Sequence, residues 1–246
     1  MQTGNSLHII IQARMTSTRL SGKVLLPLCD STVLEVMFQR LSKFKDQIIL
    51  ATTDDGSEAP IIDLCKTLNI RYYRGDTQNV LSRYYEAALS HGARSGDTIV
   101  RLTSDCPLID QQLLLDMLTK FEINLYDYLS NTVQRTYPRG LDVEVFTFDA
   151  LQKAYSNATT EFEKEHVTTY MHTTHKEEFS QGYYQDSSNN SKYRLTLDEE
   201  DDYRAIKELY HLLDCRTDYS YATLIEILKA NPHIYEINAH IEQKKK

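Results

Sequence analysis

The sequence lacks a hydrophobic run long enough to cross a membrane. Its longest apolar runs, such as residues 7–11, contain polar side chains such as His8 and fall far short of the roughly 20 residues of a spanning helix. A secretory leader has a charged segment followed by an apolar one. That pattern is not seen in the opening residues, because the first six are polar. We therefore expect a cytoplasmic protein that makes no membrane contact.

Positive charge and paired cysteines are also scarce. The 27 Lys and Arg residues are outnumbered by 35 Asp and Glu, and the net charge of -8 opposes non-specific attraction to nucleic acid or anionic lipid. No Cys-x-x-Cys pair suggests a redox or zinc site. We expect reduced, mostly buried thiols at all four cysteines, which are Cys29, Cys65, Cys106 and Cys215.

Three further signatures are missing. A Walker A loop would need Gly where Ser17 stands and Ser or Thr where Val24 stands, which argues against a P-loop ATPase. The histidines at 166, 172 and 175 form no HExxH arrangement, so we interpret them as surface or packing residues. No period of 20–50 residues indicates a repeat protein. The composition, 41% hydrophobic and 25% charged over 246 residues, is that of a globular protein.

What the sequence does contain is an alternation of short apolar runs and amphipathic segments. The runs predict strands near residues 7–13, 47–53, 70–73 and 97–102, and the amphipathic segments predict helices near 32–44, 57–68, 77–91 and 110–121. Strands separated by helices form a parallel sheet with right-handed crossovers and helices on both faces. The predicted fold class is therefore α/β.

The pattern changes after residue 131. An alternating strand is expected at 141–148, helices at 148–155 and 161–175, and extended segments at 179–185 and 193–197. Two last helices are expected near 199–213 and 219–230, and lysines 244–246 as a solvated tail. We interpret the chain as one domain with three parts: a nucleotide-binding subregion (1–131), a smaller α+β acceptor and dimerisation lobe (132–195), and C-terminal helices that complete the site (196–246).

A cationic loop follows the first predicted strand. It carries Arg14, Arg19 and Lys23 together with four hydroxyl side chains. In an open α/β sheet, ligands bind at the carboxyl ends of the strands. Cations spaced in this way can surround a polyphosphate. The alternative is an ordinary solvated basic loop.

Two carboxylates stand at corresponding places later in the chain. Asp105 follows the strand that ends near Ser104, and Asp198 follows the extended segment 193–197. Together they could hold Mg²⁺, which takes one or two carboxylates beside substrate phosphates. Asp105 could instead be a turn former, whereas Asp110 is expected to cap the next helix. Residues 199–202 are expected on a first helical turn, where negative charge is favourable.

Taken together, these motifs resemble the spore coat polysaccharide biosynthesis protein F family of cytidylyltransferases, which is similar to the CMP-sugar synthetases for ulosonic and nonulosonic acids. The resemblance extends from about Leu7 to Leu213 and rests on the ordered segments ARMTSTRLSGK–VLLPL, YRGDTQNVLSRYYEA, RLTSDCPLID, RTYPRGLDVEVF, EHVT and YRLTLDEEDD. It implies a glycosyltransferase-A-like, Rossmann-like nucleotidyltransferase fold, CTP as donor, Mg²⁺ as cofactor, a small sugar-type acceptor and a homodimer. Ser82 departs from the family, whose members often carry Asp there.

The resemblance also implies residue roles. Arg14, Lys23, Asp105 and Asp198 would be catalytic, with Asp105 and Asp198 as the metal ligands. The nucleotide would contact Ala13, Arg14, Arg19, Lys23, Arg83, Arg101 and Asp105. The acceptor would contact Arg139, Asp142, Glu144, Glu165 and His166.

The expected chemistry is attack of an acceptor oxygen on the α-phosphorus of CTP, with pyrophosphate as leaving group. A sugar hydroxyl needs a base such as Asp198 or Asp142, whereas a phosphate acceptor is already ionised. Two other functions stay open. One is a glycosyltransferase of the same fold, with Asp105 holding the metal of a nucleotide-sugar donor, and the other is a non-catalytic nucleotide-binding protein.

Overall fold

A seven-stranded sheet forms the centre of the computed structural model, which describes residues 4–242. The expected lysine tail lies outside the described residues. The sheet strands are β1 (Leu7–Gln12), β4 (Ile48–Thr53), β5 (Arg71–Gly75), β6 (Thr98–Thr103), β7 (Tyr128–Ser130), β8 (Glu144–Thr147) and β9 (Gln181–Tyr183), and β2 (Pro27–Leu28) pairs with β3 (Ser31–Thr32) in a separate hairpin. Four neighbouring strands, in the order β5-β4-β1-β6, are parallel. Strand β8 runs antiparallel to both β6 and β7, while β7 and β9 are parallel. This mostly parallel sheet confirms the predicted fold class.

Helices cover both faces of this sheet. Strand β1 shows why, because its successive isoleucines alternate between two buried clusters. The helices are α1 (Val33–Arg40), α2 (Ala59–Leu68), α3 (Val80–Ser90), α4 (Gln111–Asn124), α5 (Phe148–Asn157), α6 (Glu161–Glu165), α7 (Glu200–Leu212), α8 (Tyr221–Ala230) and α9 (Pro232–Asn238). Ile9 and Ile11 join the larger cluster, with residues of α1, α2, α4, α7 and α8, whereas Ile10 joins the smaller cluster, with residues of α3 and α5. Within residues 4–242, no helix is long and apolar enough to span a membrane.

Several predicted elements differ in detail. The helix expected at 161–175 ends at Glu165, because Val167 adopts a left-handed conformation (φ 52°), and a π-helical turn follows at Tyr170–Thr174. The strand expected at 193–197 is reduced to one bridge between Arg139 and Arg194. Asp110 does cap α4 as predicted, since its Oδ1 accepts from the backbone N–H of Leu113 at 2.8 Å.

The expectation of four reduced thiols is wrong for two of the cysteines. Cys29, at the exposed turn between β2 and β3, forms a disulfide with Cys215, just after α7, across 186 residues of sequence. Sequence spacing could not show this pair, because the fold alone brings these two turns together. Cys65 and Cys106 are free and buried, as predicted.

Candidate active site

A cleft of about 1060 Å³ opens at the carboxyl ends of β1 and β6. Its lining includes Gln12 and Thr103, the last residues of those two strands. Every site residue expected from the sequence lines this cleft, although they come from distant parts of the chain. These residues are Ala13, Arg14, Arg19, Lys23, Arg83, Arg101, Asp105, Arg139, Asp142, Glu144, Glu165, His166 and Asp198.

Backbone pairing places the two expected metal carboxylates side by side. Strand β6 ends at Thr103, so Asp105 lies in the turn directly above the sheet edge. The backbone N–H of Leu197 donates to the carbonyl of Asp105 at 2.8 Å. Asp198, the next residue, thereby comes beside Asp105.

Lys23 links these two carboxylates. Its Nζ donates to Asp105 Oδ2 at 3.0 Å, to Asp198 Oδ1 at 2.8 Å and to the carbonyl of Leu197 at 2.7 Å. Burial disfavours the ammonium, but Asp105 and Asp198 outweigh it and raise the pKa of Lys23. Burial likewise opposes ionisation of Asp105, yet Lys23 keeps the pKa of that carboxyl below its usual value. Both groups are therefore charged near neutral pH.

The cationic loop is folded so that Lys23 reaches inward. Gly22 adopts a left-handed conformation (φ 64°), and its N–H donates to the carbonyl of Met15 at 2.9 Å. Arg19 lies beside Lys23, with Nη2 3.0 Å from Asp198 Oδ1. Arg14 is exposed and lines the cleft. Two of the three cations of the loop, Arg19 and Lys23, are thus held by the carboxylate of Asp198.

A buried network behind Asp198 was not expected from the sequence. Arg194 donates from Nε to Asp202 Oδ1 at 2.8 Å and from Nη2 to Asp198 Oδ2 at 3.1 Å. Asn238 of α9 donates to Asp202 Oδ1 and to the carbonyl of Arg194, both at 2.9 Å. Asp202 also accepts from the backbone N–H groups of Asp198 and Glu199 at the start of α7. The network therefore sets the orientation of Asp198.

The carboxylate pair fits a divalent cation that shares its ligands with a nucleotide. Asp105 and Asp198 converge on a single cationic atom, Nζ of Lys23, at hydrogen-bond distance. Among the described residues, no group of three or more His, Cys, Asp or Glu side chains is arranged to hold a metal ion. Mg²⁺ commonly has one or two protein carboxylates and takes its other oxygens from phosphates and water. The donor set matches that pattern.

One half of the cleft, around Gln12 and Arg83, contains buried polar atoms with unused hydrogen-bonding capacity. Arg83 is 2% exposed, and its Nη1 donates to the carbonyl of Asp76 at 3.0 Å. Within residues 4–242, three buried atoms lining this cleft have no hydrogen-bond partner: Arg83 Nε, Arg101 Nε and Gln12 Oε1. Buried polar atoms without partners are costly in a folded protein, so a ligand that pairs with them is favoured here.

Glu144 forms the floor of the other half. It lies 4% exposed on β8 and accepts from Arg101 Nη1, from the hydroxyl of Tyr128 at 2.5 Å and from Thr168 at 2.7 Å. Burial raises the pKa of a carboxyl, but Arg101 outweighs it and lowers the pKa of Glu144 to about 2. Because its oxygens are engaged by these three side chains, Glu144 acts mainly by orienting Arg101 and Thr168, which both line the cleft.

Asp142, on the same side of the chain as Glu144, is also paired. Both of its oxygens accept from Arg135, at 2.6 and 2.9 Å. Arg139 lies half-buried near this pair, where burial and the neighbouring Arg135 lower its pKa without removing its charge. The bidentate contact makes Asp142 an orienting group for Arg135.

The left-handed turn at Val167 shapes the last wall. A β-branched residue rarely adopts this conformation, and such strain is concentrated at functional sites. The turn separates α6, which carries the exposed Glu165, from Thr168, which bonds to Glu144. The ring of His166 packs edge-on against Phe162, with 4.6 Å between centroids.

Sequence reasoning missed Arg135, Thr168, Arg194, Asp202 and Gln12. Arg135 and Arg194 do stand inside segments that carry the resemblance, RTYPRGLDVEVF and YRLTLDEEDD, four residues before Arg139 and Asp198 respectively. The spacing of four residues between Arg194 and Asp198 was the available signal for that pair, whereas Arg135 and its partner Asp142 are seven residues apart. Gln12 carries no such signal, because only the end of β1 makes its side chain part of the cleft.

Comparison with known proteins agrees with this geometry. Residues 8–241 match the sequence model of a family described as "Cytidylyltransferase". The chain is 32% identical over 244 residues to the spore coat polysaccharide biosynthesis protein SpsF of Bacillus subtilis (strain 168), covering 93% of this chain and 96% of that protein. It is 28% identical over 168 residues to the 3-deoxy-manno-octulosonate cytidylyltransferase of Francisella tularensis subsp. tularensis (strain FSC 198), covering 65% and 66%.

A solved structure supports the same match over the whole fold. A cytidylyltransferase from Leptospira borgpetersenii serovar Hardjo-bovis (strain JB197) superposes with a TM-score of 0.91 at 36% identity. The superposition covers 98% of this chain and 100% of that chain. The two folds therefore match over nearly the whole chain.

Proposed function

The chain belongs to the cytidylyltransferase family, and from that premise we propose that it transfers CMP from CTP to a sugar acid or sugar phosphate and releases pyrophosphate. The observation that carries the proposal is the pair Asp105 and Asp198 facing the cations Arg19 and Lys23 in one cleft. A carboxylate pair beside clustered cations suits a triphosphate with its divalent cation. The product would be an activated sugar for polysaccharide or glycoconjugate synthesis.

Several residues of the cleft position the nucleotide. Arg14, Arg19 and Lys23 balance the charge of the departing pyrophosphate, which is the main catalytic requirement when both reactants are held in line. Arg83 and Arg101 present buried guanidinium nitrogens to the half of the cleft around Gln12. This half, called the nucleotide half, is where the nucleotide would bind. Bound Mg²⁺ on Asp105 and Asp198 would neutralise phosphate oxygens and orient the triphosphate.

The acceptor half is expected to bind an anionic sugar. Arg139 is the cation that contacts an acceptor carboxylate or phosphate, while Arg135 is held by Asp142. Glu165 and His166 also line the cleft and would contact sugar hydroxyls. A sugar acid is the favoured class, because one relative is named a 3-deoxy-manno-octulosonate cytidylyltransferase.

Both candidate bases for a hydroxyl acceptor are engaged by cations. Asp198 accepts from Lys23 at Oδ1 and from Arg194 at Oδ2, and Asp142 has both oxygens committed to Arg135. Accepting a proton at either carboxylate would break an ion pair, so the proposal assigns the base to neither. A phosphate acceptor would need no base.

The proposal is tested by combining each nucleoside triphosphate with a panel of sugar acids and sugar phosphates and measuring pyrophosphate. Release with CTP and one acceptor class is expected. Release of a free nucleoside diphosphate from a nucleotide-sugar would favour the glycosyltransferase instead. CTP binding with no turnover across the panel would favour a non-catalytic protein. The homodimer and the cytoplasmic location stay predictions.

The role of Asp105 is tested by Asp105→Asn. We expect turnover to fall by roughly 10²-fold or more, because the amide removes one charged ligand from the transition-state site. Stability should change by only about 1 kcal/mol, since Lys23 keeps its second carboxylate partner, Asp198. A large loss of stability, with the magnesium requirement of the remaining folded enzyme unchanged, would show that Asp105 is a turn former.

A further inference from the structure

The ammonium group of Lys23 lies at the point where the two expected metal ligands meet. It is 3.0 Å from Asp105 Oδ2 and 2.8 Å from Asp198 Oδ1, and the three side chains are 13%, 24% and 11% exposed. A divalent cation bound by both carboxylates would have to lie in this same space. The lysine and such a cation therefore exclude one another.

The hydrogen-bonding capacity of Lys23 is also fully used. A lysine ammonium has three N–H donors. Its three acceptors here are Asp105, Asp198 and the carbonyl of Leu197 at 2.7 Å. No donor is left for a phosphate oxygen, so contact with a triphosphate requires the side chain to leave the carboxylates.

Asp198 is neutralised by further cations. Arg19 Nη2 is 3.0 Å from its Oδ1, and Arg194 Nη2 is 3.1 Å from its Oδ2. Both oxygens of Asp198 are thus engaged by cationic side chains. A free divalent cation that approaches the two carboxylates must displace Lys23 unaided, whereas a triphosphate brings negative charge that attracts Lys23 and Arg19 away from the carboxylates.

From this geometry we infer that Lys23 is an internal cation that holds the metal site of the nucleotide-free protein and is exchanged for a divalent cation brought in by CTP. The inference rests on the proposed role of Asp105 and Asp198 as metal ligands. Lys23 then has two positions, one between the carboxylates and one at the phosphates. The consequence is a binding order in which metal and nucleotide enter together.

The experiment measures Mn²⁺ binding by electron paramagnetic resonance, which counts free ion and needs no turnover. Wild-type protein without nucleotide is expected to bind Mn²⁺ weakly. Lys23→Met is expected to bind it about tenfold more tightly, because removing the ammonium leaves Asp105 without its countercharge. Lys66→Met is the matched control, since it removes the same charge from an exposed pair with Asp63 on α2.

Two double variants separate this inference from the proposed function. The gain in Lys23→Met should disappear in Lys23→Met/Asp105→Asn and in Lys23→Met/Asp198→Asn. Persistence of the gain in both would mean that the metal binds elsewhere, which contradicts the proposed ligands. Equal affinity of wild type and Lys23→Met, with Mn²⁺·CTP binding still dependent on Asp105, would overturn the exchange and leave the proposed ligands intact.

Wild-type protein supplies a measurement that does not depend on the folding of a variant. Adding CTP is expected to raise the fraction of Mn²⁺ bound to protein well above the sum of binding to CTP alone and to protein alone. Tight Mn²⁺ binding by the nucleotide-free wild type would overturn the inference. Lys23→Gln, which keeps most of the side-chain volume, is the second variant if Lys23→Met does not fold.

Discussion

Single residues in this cleft act largely through charge pairs. Glu144, which is 4% exposed, is one example, because a buried carboxylate is stable only when charged and hydrogen-bonded partners surround it. Arg101, Tyr128 and Thr168 supply those partners from β6, β7 and the turn after α6. One side chain thus joins three elements at the floor of the half of the cleft that is proposed to bind the acceptor.

Replacing Glu144 with Gln should therefore destabilise the fold as well as weaken acceptor use. The variant leaves Arg101 buried without a countercharge, which costs about 3 kcal/mol. We expect a higher KM for the acceptor and a smaller effect on the Kd for CTP, to be measured by steady-state kinetics and calorimetry. Equal weakening of both would contradict the separation of nucleotide and acceptor halves.

The stability difference between wild type and Glu144→Gln should depend on pH in a defined direction. The folded-state pKa of Glu144, about 2, lies below the ordinary value of 4.5. The stabilisation is therefore complete above a pH of about 4.5 and is lost as pH falls towards about 2. Thermal melting of both proteins across that pH range measures the stability difference. A stability difference that does not change with pH would show that the ion pair of Glu144 with Arg101 does not stabilise the fold.

At the scale of elements, the site depends on the pairing of two irregular segments. Arg139 forms two backbone hydrogen bonds with the segment after residue 192: its N–H donates to the carbonyl of Tyr193 at 3.1 Å, and its carbonyl accepts from Leu195 at 2.7 Å. Gly140 permits this approach, because it has φ 98° and an added Cβ would overlap the backbone of Leu195 and Thr196. The same pairing carries Asp198 to Asp105.

Gly140→Ala is expected to lower stability by about 2 kcal/mol or more, because both the left-handed conformation and the overlap must be relieved. Since Asp198 moves with this segment, Mn²⁺ binding in the presence of CTP should fall as well. Gly56→Ala is a matched control, with a similar φ of 90° and open space around it. Loss of stability at both positions with no effect on metal binding would contradict the link from Gly140 to Asp198.

The disulfide Cys29–Cys215 joins the β2–β3 hairpin to the end of α7. Reduction should lower the free energy of unfolding by about 2–4 kcal/mol, since the unfolded chain regains the freedom that a long closed loop removes. Melting with and without dithiothreitol measures the effect, and Cys29→Ser should be insensitive to the reductant. An identical melting temperature for reduced and oxidised wild type would show that the bond does not stabilise the fold.

At the scale of the whole molecule, one cleft collects residues from position 12 to position 198. Ligand binding to such a site stabilises the fold as a unit. CTP with Mg²⁺ at about 100 times its Kd should raise the free energy of unfolding by about 2.7 kcal/mol. Differential scanning fluorimetry with CTP, UTP, GTP and ATP tests this, and equal shifts with all four would contradict selectivity for cytosine.

The sequence by itself determined which segments form strands and helices and in which order they follow one another. Apolar runs separated by amphipathic segments require a mostly parallel sheet covered on both faces, because each element must bury its apolar side. The same order places Arg14, Lys23 and Asp105 at the carboxyl ends of strands, where the cleft is found. The resemblance carried by these motifs is confirmed at the level of the family.

Tertiary structure alone decided which of those groups meet. Residue spacing along the chain does not reveal these contacts. They are the hydrogen bonds from Lys23 to both Asp105 and Asp198, the ion pairs of Glu144 and Asp142 with arginines, and the Cys29–Cys215 bond. The left-handed Val167 was equally hidden, because a helical pattern does not show where packing breaks the helix. The physical reason is that periodicity reports which side of an element is buried, whereas hydrogen bonds and ion pairs depend on distances that only the assembled sheet and its loops establish.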